Sequence, residues 1–378
     1  MKSFLFAATL LFSAPSVTFA QSGFITEAPH AVILDYDTGT VLFERDAKRP
    51  IAPASMTKIV TAELVFDAIR KGQISLDTKF TVSEEAWRRG GAKSGSSTMF
   101  LELGSEVSVE NLLRGVIIQS GNDACIVLAE GIAGSETAFA DMMTQHAREL
   151  GFETATFRNA TGWPHPEHNI SVYDLARYAK RFITEYPEFY SLYSERSFRW
   201  NGITQSNRNP LLGRFTGADG LKTGHTESSG YGLVGSAKRG DERRIIVVNG
   251  LISKEERRDE SIRMMRSAFD SFKVYDLFKT GDSVAQVPVY MGQTESVSAV
   301  VDSDIVSGLF RPDRSKLKTQ IRYKKALAPV VKGQEIAELI IDEPGRDIRV
   351  IPLYAASDVK KKSAFARVIS VLTGKSEG

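Results

Sequence analysis

The chain has 378 residues, 42% hydrophobic and 25% charged, enough for one large domain with a small one beside it and unlike a disordered or collagen-like chain. Its 48 Lys and Arg against 46 Asp and Glu leave a net charge of only +2, which excludes the basic footprint of a dedicated nucleic-acid binder. A single cysteine, Cys125, excludes an intramolecular disulfide and a cysteine-rich zinc site, so packed cores must hold the fold.

Residues 1–20 stand apart from the rest. Lys2 opens them, Phe4 to Phe12 form a short apolar run, and small residues close them before Gln21, with Thr18 and Ala20 at cleavage-compatible positions. The pattern predicts a secretory signal on an exported protein, and no later stretch has the roughly 18 apolar residues of a spanning helix. From Ala31, two apolar runs flank Asp37-Thr38-Gly39-Thr40, a β-hairpin signal with Gly supplying the turn. After Pro53, the residues Met56, Ile59, Val60, Leu64 and Ile69 recur at helical spacing, with Gly72 as the C-terminal stop. Ser55 therefore belongs in or beside the first turn of a helix.

The segments VSVENLLRGVIIQSG, NDACIVLAEGIAGS, SETAFADMMTQHARELG and SVYDLARYAKRFITEY carry apolar positions three and four apart and read as helices. Past Gly220 the period changes. LKTGHT, SGYGLVGSAKRG and ERRIIVVNGL read as strands, and ERRDESIRMMRSAFDSFKVY as a closing helix. An early hairpin, a helical block and late strands predict an α+β domain over residues 21–282 whose sheet draws on both ends of the segment. Residues 283–357 carry short β-like runs between Gly and Pro and predict a small β-rich domain. In the tail, residues 358–378, Phe365, Val368, Ile369 and Leu372 share one helical face behind Lys360-Lys361-Lys362, the pattern of an interfacial anchor on an anionic membrane.

Three motifs carry chemistry. Ser55-Met56-Thr57-Lys58 places a hydroxyl and an amine one helical turn apart on one face, the spacing a nucleophile and its base need. Two other S-x-x-K matches, Ser315 to Lys318 and Ser357 to Lys360, fall in a charged strand region and a polar tail. Ser120-Gly121-Asn122 lies between two helices, where a loop presents a hydroxyl and an amide. Lys222-Thr223-Gly224, followed by His225-Thr226, offers a cation and a hydroxyl to a carboxylate, with Gly224 letting a ligand backbone approach the strand. Lys279-Thr280-Gly281 repeats those letters at the domain junction, where Gly281 reads as a helix C-cap. Cys125 reads as a small buried hydrophobe.

This ordered trio resembles the one carried by class A β-lactamases and penicillin-binding proteins. With ILDYDTGTVLFERDAKRPIAPASMTK, IIQSGNDACIVLAEGIAGSE, NGITQSNRNPLL, GLKTGHTESSGYGLVGSA and the β-rich tail, the chain resembles the serine D-alanyl-D-alanine carboxypeptidases, the low-molecular-mass penicillin-binding proteins of the 5/6 type, over nearly its whole length. The resemblance implies a transpeptidase-like domain, an antiparallel sheet flanked by helices, followed by a small all-β domain and an amphipathic helix at the outer face of the cytoplasmic membrane. It implies removal of the terminal D-Ala from peptidoglycan stem pentapeptides, with β-lactams as covalent inhibitors and no cofactor or metal. Ser55 is then the nucleophile and Lys58 its base, deprotonated by burial and by Lys222. Ser120 passes the proton to the leaving amine, and Asn122 holds the substrate amide. Lys222, Thr223, Thr226 and Arg257 hold the free carboxylate, and the backbone N–H groups of Ser55 and His225 form the oxyanion hole.

Three other readings compete. A class A β-lactamase deacylates with a glutamate, but Glu167, in FRNATGWPHPEHNIS, stands in a different local setting and is expected at the surface. A zinc peptidase would use His165-Pro166-Glu167-His168, where proline breaks the helical spacing of known zinc motifs. A non-catalytic wall-binding scaffold would not need every motif side chain.

Overall fold

The computed structural model describes residues 23–323 and 325–364. The secretory pattern of residues 1–20 and the apolar face from Phe365 to Leu372 lie outside the described residues. The chain forms two compact units, one made of Ile25–Asp282 with Val301–Arg314 and the other containing Ser283–Val300 and the chain beyond Ser315.

In the larger unit the opening hairpin, β1 (His30–Asp35) and β2 (Val41–Arg45), pairs with strands two hundred residues later. Helices α1 (Lys58–Arg70), α2 (Val109–Arg114), α3 (Asn122–Ala133), α4 (Glu136–Glu149) and α5 (Val172–Glu185) follow. A small hairpin, β3 (Ser197–Trp200) and β4 (Ile203–Ser206), precedes the long strands β5 (Ala218–Thr226), β6 (Gly230–Arg239) and β7 (Glu242–Leu251), and α6 (Lys254–Asp270) closes the block. The antiparallel sheet runs β2-β1-β7-β6-β5, with Val32 opposite Val247 and Ile33 opposite Ile246. Both ends of the segment thus meet in one sheet.

Alternation decides what each strand buries. Val32, Leu34, Ile245 and Val247 join the helical core, whereas Ile33, Ile246 and Val248 are buried outside it, as are Met264 and Met265 of α6, which packs on β7. The turn before β2 is held by the Asp35 carboxylate, which accepts from the Thr38 amide at 2.9 Å and pairs with buried Arg244. Helix α1 is buried along nearly its whole length, which makes it the axis of the helical block.

The closing helix ends earlier than its periodicity predicts. It stops at Asp270, and β8 (Phe272–Phe278) pairs with β11 (Ile305–Phe310), burying Phe272 against Phe43 and Phe310 with ring centroids 6.3 and 5.5 Å away. Phe272 and Tyr275 fit a helix three residues apart, but the β11 partner lies beyond the reach of local pattern. Gly281 accordingly occupies a turn after a strand, with φ of +86°, and is not a helix C-cap. The same pairing returns Val301–Arg314 to the larger unit, where a single boundary at 282/283 was expected.

In the smaller unit β9 (Ser283–Tyr290), β10 (Ser296–Val300), β12 (Lys318–Tyr323), β13 (Glu335–Asp342) and β14 (Arg349–Ala355) form a sheet in the order β12-β13-β14-β10-β9, with the two-residue strand Ala326–Leu327 at its edge. Val287, Val297, Ala299, Leu339, Ile341 and Leu353 make its core. Among the described residues no helix is long and apolar enough to cross a membrane.

Candidate active site

Ser55 sits in a 3-10 turn, Ala54–Thr57, that runs into α1 at Lys58. Sequence spacing places the serine and the lysine on one face, and packing does the rest. The turn is clamped between two glycines. A Cβ on Gly224 would lie 2.7 Å from the Pro53 carbonyl, and one on Gly162 would lie 1.9 Å from that of Ala54. Gly224 therefore admits the Ser55 turn to the strand, besides lining the cavity where a ligand backbone was expected. Ala54 at φ +49° and Ser120 at φ +60° hold left-handed backbone at the two reactive turns, a strain of about 1–3 kcal/mol each that the surrounding contacts must offset.

The Lys58 side chain is 1% exposed, and its Nζ lies 3.0 Å from Ser55 Oγ, 2.7 Å from Asn122 Oδ1 and 2.5 Å from the Thr161 carbonyl. Burial brings its pKa down to about 8, helped by the Arg208 cation and opposed by Cys125, Glu136 and Asp123. Lys222, expected to drive this shift, is not among its main causes. A neutral amine has two N–H donors and one lone pair. The two carbonyl-type oxygens accept the donors, so the lone pair is left facing the Ser55 hydroxyl.

Lys222 is also buried, and its Nζ donates to Ser120 Oγ at 3.0 Å and to the Thr223 carbonyl at 3.2 Å. Burial, with Lys58 adding to it, pushes the Lys222 pKa well below the usual range. Ser120 thus joins the Lys222 side of the site, not the Lys58 side. Asn122 engages both ends of its amide, accepting from Lys58 and donating to Ser96 Oγ at 2.9 Å, which leaves one amide hydrogen for a substrate carbonyl. Asp123, the next residue, accepts from Thr98 Oγ1 and from the Met99 and Leu101 amides, tying the 98–101 segment to the start of α3.

A cavity of about 400 Å³ opens over these groups, lined by Ser55, Ser120, Thr223, Gly224, His225 and Arg257 together with Ser97, Arg208, Tyr231 and Lys254. No carboxylate is among them. Arg257 is 8% exposed, and burial lowers its pKa to about 10, so it stays charged at neutral pH. Its guanidinium lies 5.6 Å from the Tyr231 ring, which stacks at 3.9 Å on His225 and so occupies the imidazole in packing. Arg208 donates to Ser97 Oγ at 2.5 Å. Strand β5 is the sheet's edge, so its outer backbone groups have no strand partner.

Thr226 ends β5. Its hydroxyl lies 2.7 Å from Ser229 Oγ in the β5–β6 turn. The histidine cluster is pulled apart: Glu167 is exposed and pairs with Arg158, while buried His168 turns inward to Thr57. Among the described residues no group of three or more His, Cys, Asp and Glu is arranged to hold a metal. Cys125 is fully buried on α3, and burial holds its thiol up at about 12, far from reactive. Sequence reasoning assigned no role to Ser97, Arg208, Thr161, Tyr231 or Lys254, although Arg208 stood in the quoted NGITQSNRNPLL segment. A lone basic residue in a loop carries no local signal of what it will face.

The D-alanyl-D-alanine carboxypeptidase family model matches residues 17–251, and that of the penicillin-binding protein 5 C-terminal domain matches residues 272–361. D-alanyl-D-alanine carboxypeptidase DacF of Bacillus subtilis is 36% identical over 375 residues, 96% of this chain and 94% of that protein. The crystal structure of DacD from Francisella tularensis covers 93% of this chain and 98% of its own, at 30% identity and a TM-score of 0.79. That of penicillin-binding protein 5 from Haemophilus influenzae covers 90% and 99%, at 33% identity and a TM-score of 0.71. With its serine, two buried amines and acid-free pocket in one place, and with both units matched, the chain belongs to the peptidase family of D-alanyl-D-alanine carboxypeptidases.

Proposed function

We propose that Ser55 attacks the carbonyl between the two terminal D-alanines of a peptidoglycan stem pentapeptide. The observation that carries this is the buried Lys58 amine 3.0 Å from Ser55 Oγ, with its other two contacts made to the acceptor oxygens of Asn122 and Thr161, so that the neutral form turns its lone pair to the hydroxyl. Lys58 takes the hydroxyl proton as the Oγ–C bond forms, and the oxyanion is met by the backbone N–H groups of Ser55 and His225. Lys222 supplies a proton through Ser120 to the departing D-Ala nitrogen as the C–N bond breaks. Water then adds to the ester, giving up a proton through Ser120 to Lys222, and Lys58 returns its proton to Ser55 Oγ as the ester C–O bond breaks, releasing the shortened peptide as its carboxylate and restoring both amines. Asn122 orients the acyl chain. Thr223 and Arg257 take the free carboxylate, and Arg208 adds a cation that motif spacing did not suggest. β-Lactams, which carry a carboxylate beside a strained amide, acylate the same serine.

Glu167, the residue weighed as a counterpart of the class A glutamate, is held at the surface by Arg158, and no carboxylate lines the cavity among the described residues. We further infer export and attachment to the outer face of the cytoplasmic membrane. The pattern of residues 1–20, the apolar face from Phe365 to Leu372 and the exposed Lys360 and Lys361 support it. Recovery of the protein in the soluble fraction of lysed cells would overturn the attachment.

The full chain is expected to release D-alanine from diacetyl-Lys-D-Ala-D-Ala and to turn over penicillin slowly. Rapid penicillin turnover without D-alanine release overturns this assignment. In the same assay Arg257→Gln raises KM for the peptide about 10- to 100-fold with kcat little changed, since a charge-assisted bond to carboxylate contributes about 1.5–3 kcal/mol of binding. An equal loss in kcat would place Arg257 in the chemical step instead.

A further inference from the structure

His168 is the one member of the His165–His168 cluster that the fold buries, at 2% exposed, and nothing in the reaction above uses it. Its Nε2 lies 2.9 Å from Thr57 Oγ1, and its Nδ1 lies 3.2 Å from the backbone nitrogen of Arg158. The Arg158 N–H can only donate, so Nδ1 accepts, and the ring proton must sit on Nε2, from where it donates to the Thr57 hydroxyl. Phe157 packs edge-on against the ring with centroids 5.5 Å apart. Burial, with the charges of His165, Lys58 and Arg158 adding to it, lowers the His168 pKa to about 4. The ring is therefore neutral, with one donor and one acceptor, across the working range.

What the ring joins is specific. Thr57 directly precedes Lys58, closes the turn that carries Ser55, and is fully buried. Arg158 begins the strap that carries the Thr161 carbonyl, one of the two oxygens that fix the direction of the Lys58 lone pair. The strap is held elsewhere by the Ala160 amide on Glu136, by Thr61 Oγ1 on the Ala160 carbonyl and by the Asn159 side chain on the Gly162 and Trp163 amides. None of those bonds reaches the nucleophile turn. His168 and the close Gly162–Ala54 contact do.

We propose that His168 is a positioning residue for acylation, its neutral ring locking the strap that orients Lys58 to the turn that presents Ser55. This rests on the assignment of Ser55 and Lys58 as nucleophile and base. A displacement of about 1 Å in such a pair costs on the order of 100-fold in rate. The carboxylate clamp of Thr223 and Arg257 lies on other elements and is untouched.

The test is the second-order acylation constant with fluorescent penicillin, and kcat and KM for diacetyl-Lys-D-Ala-D-Ala, in wild type, His168→Ala, His168→Gln and Thr57→Val. His168→Ala and Thr57→Val are expected to lower acylation and kcat about 10- to 100-fold while KM moves less than about threefold. His168→Gln, whose amide nitrogen reaches Thr57 as Nε2 does, is expected to recover to within about threefold of wild type. Thr57→Val with His168→Gln together is expected to be no slower than Thr57→Val alone, because both changes act on one bond. If His168→Ala does not fold, Thr57→Val and His168→Gln decide, since each keeps the shape of its site. Folded variants with a lowered Tm and a wild-type kcat would overturn the proposal and leave His168 a packing residue. A wild-type protein that takes up no label would instead overturn the assignment of Ser55 and Lys58.

Discussion

Ser55→Ala is expected to fold, to take up no covalent label from fluorescent penicillin, and to lose D-alanine release by a factor of about a million. The loss is chemical. Ser55 is only partly buried, in a short turn whose position is set by Gly224, Gly162 and the burial of Ala54, Met56 and Thr57, none of which the substitution touches. Removing one hydroxyl that meets Lys58 costs about 1 kcal/mol of stability at most, so the variant should melt within a few degrees of wild type. Intact-mass measurement after incubation with penicillin checks this directly. An adduct on the variant at any other side chain would mean that Ser55 is not the nucleophile.

Lys58→Gln carries the second large effect. Losing a positioned general base lowers acylation about a hundred- to ten-thousandfold, and the glutamine amide has no lone pair basic enough to replace it. The pH profile distinguishes loss of the base from mere disturbance of the site. In wild type the amine works when neutral, so acylation should rise about tenfold per unit as pH climbs toward the Lys58 pKa of about 8 and level off above it. The sign follows from the direction of the shift: burial favours the neutral amine, bringing the active form within reach of neutral pH. Lys58→Gln should show no such limb. If the limb stays in place in the variant, it belongs to another group, and Lys222, whose pKa burial also lowers, is the one to replace next.

The legible parts of the site were those whose geometry is set within one element. A serine and a lysine three residues apart share a face of any helical turn, so the pair could be read before the turn was known to be 3-10. Ser120-Gly121-Asn122 lies where one helix ends and another begins, and Ser120 does hold the left-handed backbone of such a corner. Lys222 to Gly224 lie on a strand as their neighbours' pattern required. Arg257 was a candidate because its place after a strand matches the spacing in the family the chain resembles, and it lies buried beside Tyr231 in the cavity lining.

Other readings failed for a common cause. Phe272–Tyr275 was assigned to the end of a helix because the true partner strand, Ile305–Phe310, lies some thirty residues on, and local apolar spacing cannot show a pairing at that range. Thr226 was placed in the carboxylate site by its neighbours in the motif, and that its hydroxyl also meets Ser229 in the β5–β6 turn was not legible there. Gly224 was given to a ligand, and the Pro53 carbonyl and Met56 lie too close for that to be its only reason.

The order of motifs carried the resemblance to the family, and periodicity gave the α+β architecture and put Ser55 and Lys58 side by side as candidate nucleophile and base, because spacing on a regular backbone sets which neighbouring residues share a face. Tertiary structure alone decided how the base is aimed. The Thr161 carbonyl and Asn122 amide reach Lys58, and the His168 ring reaches Thr57, from about 60 to 110 residues away, through contacts whose partners no local pattern encodes. Packing of the strap and of α3 against α1 brings them there, and the direction of one lone pair follows from it.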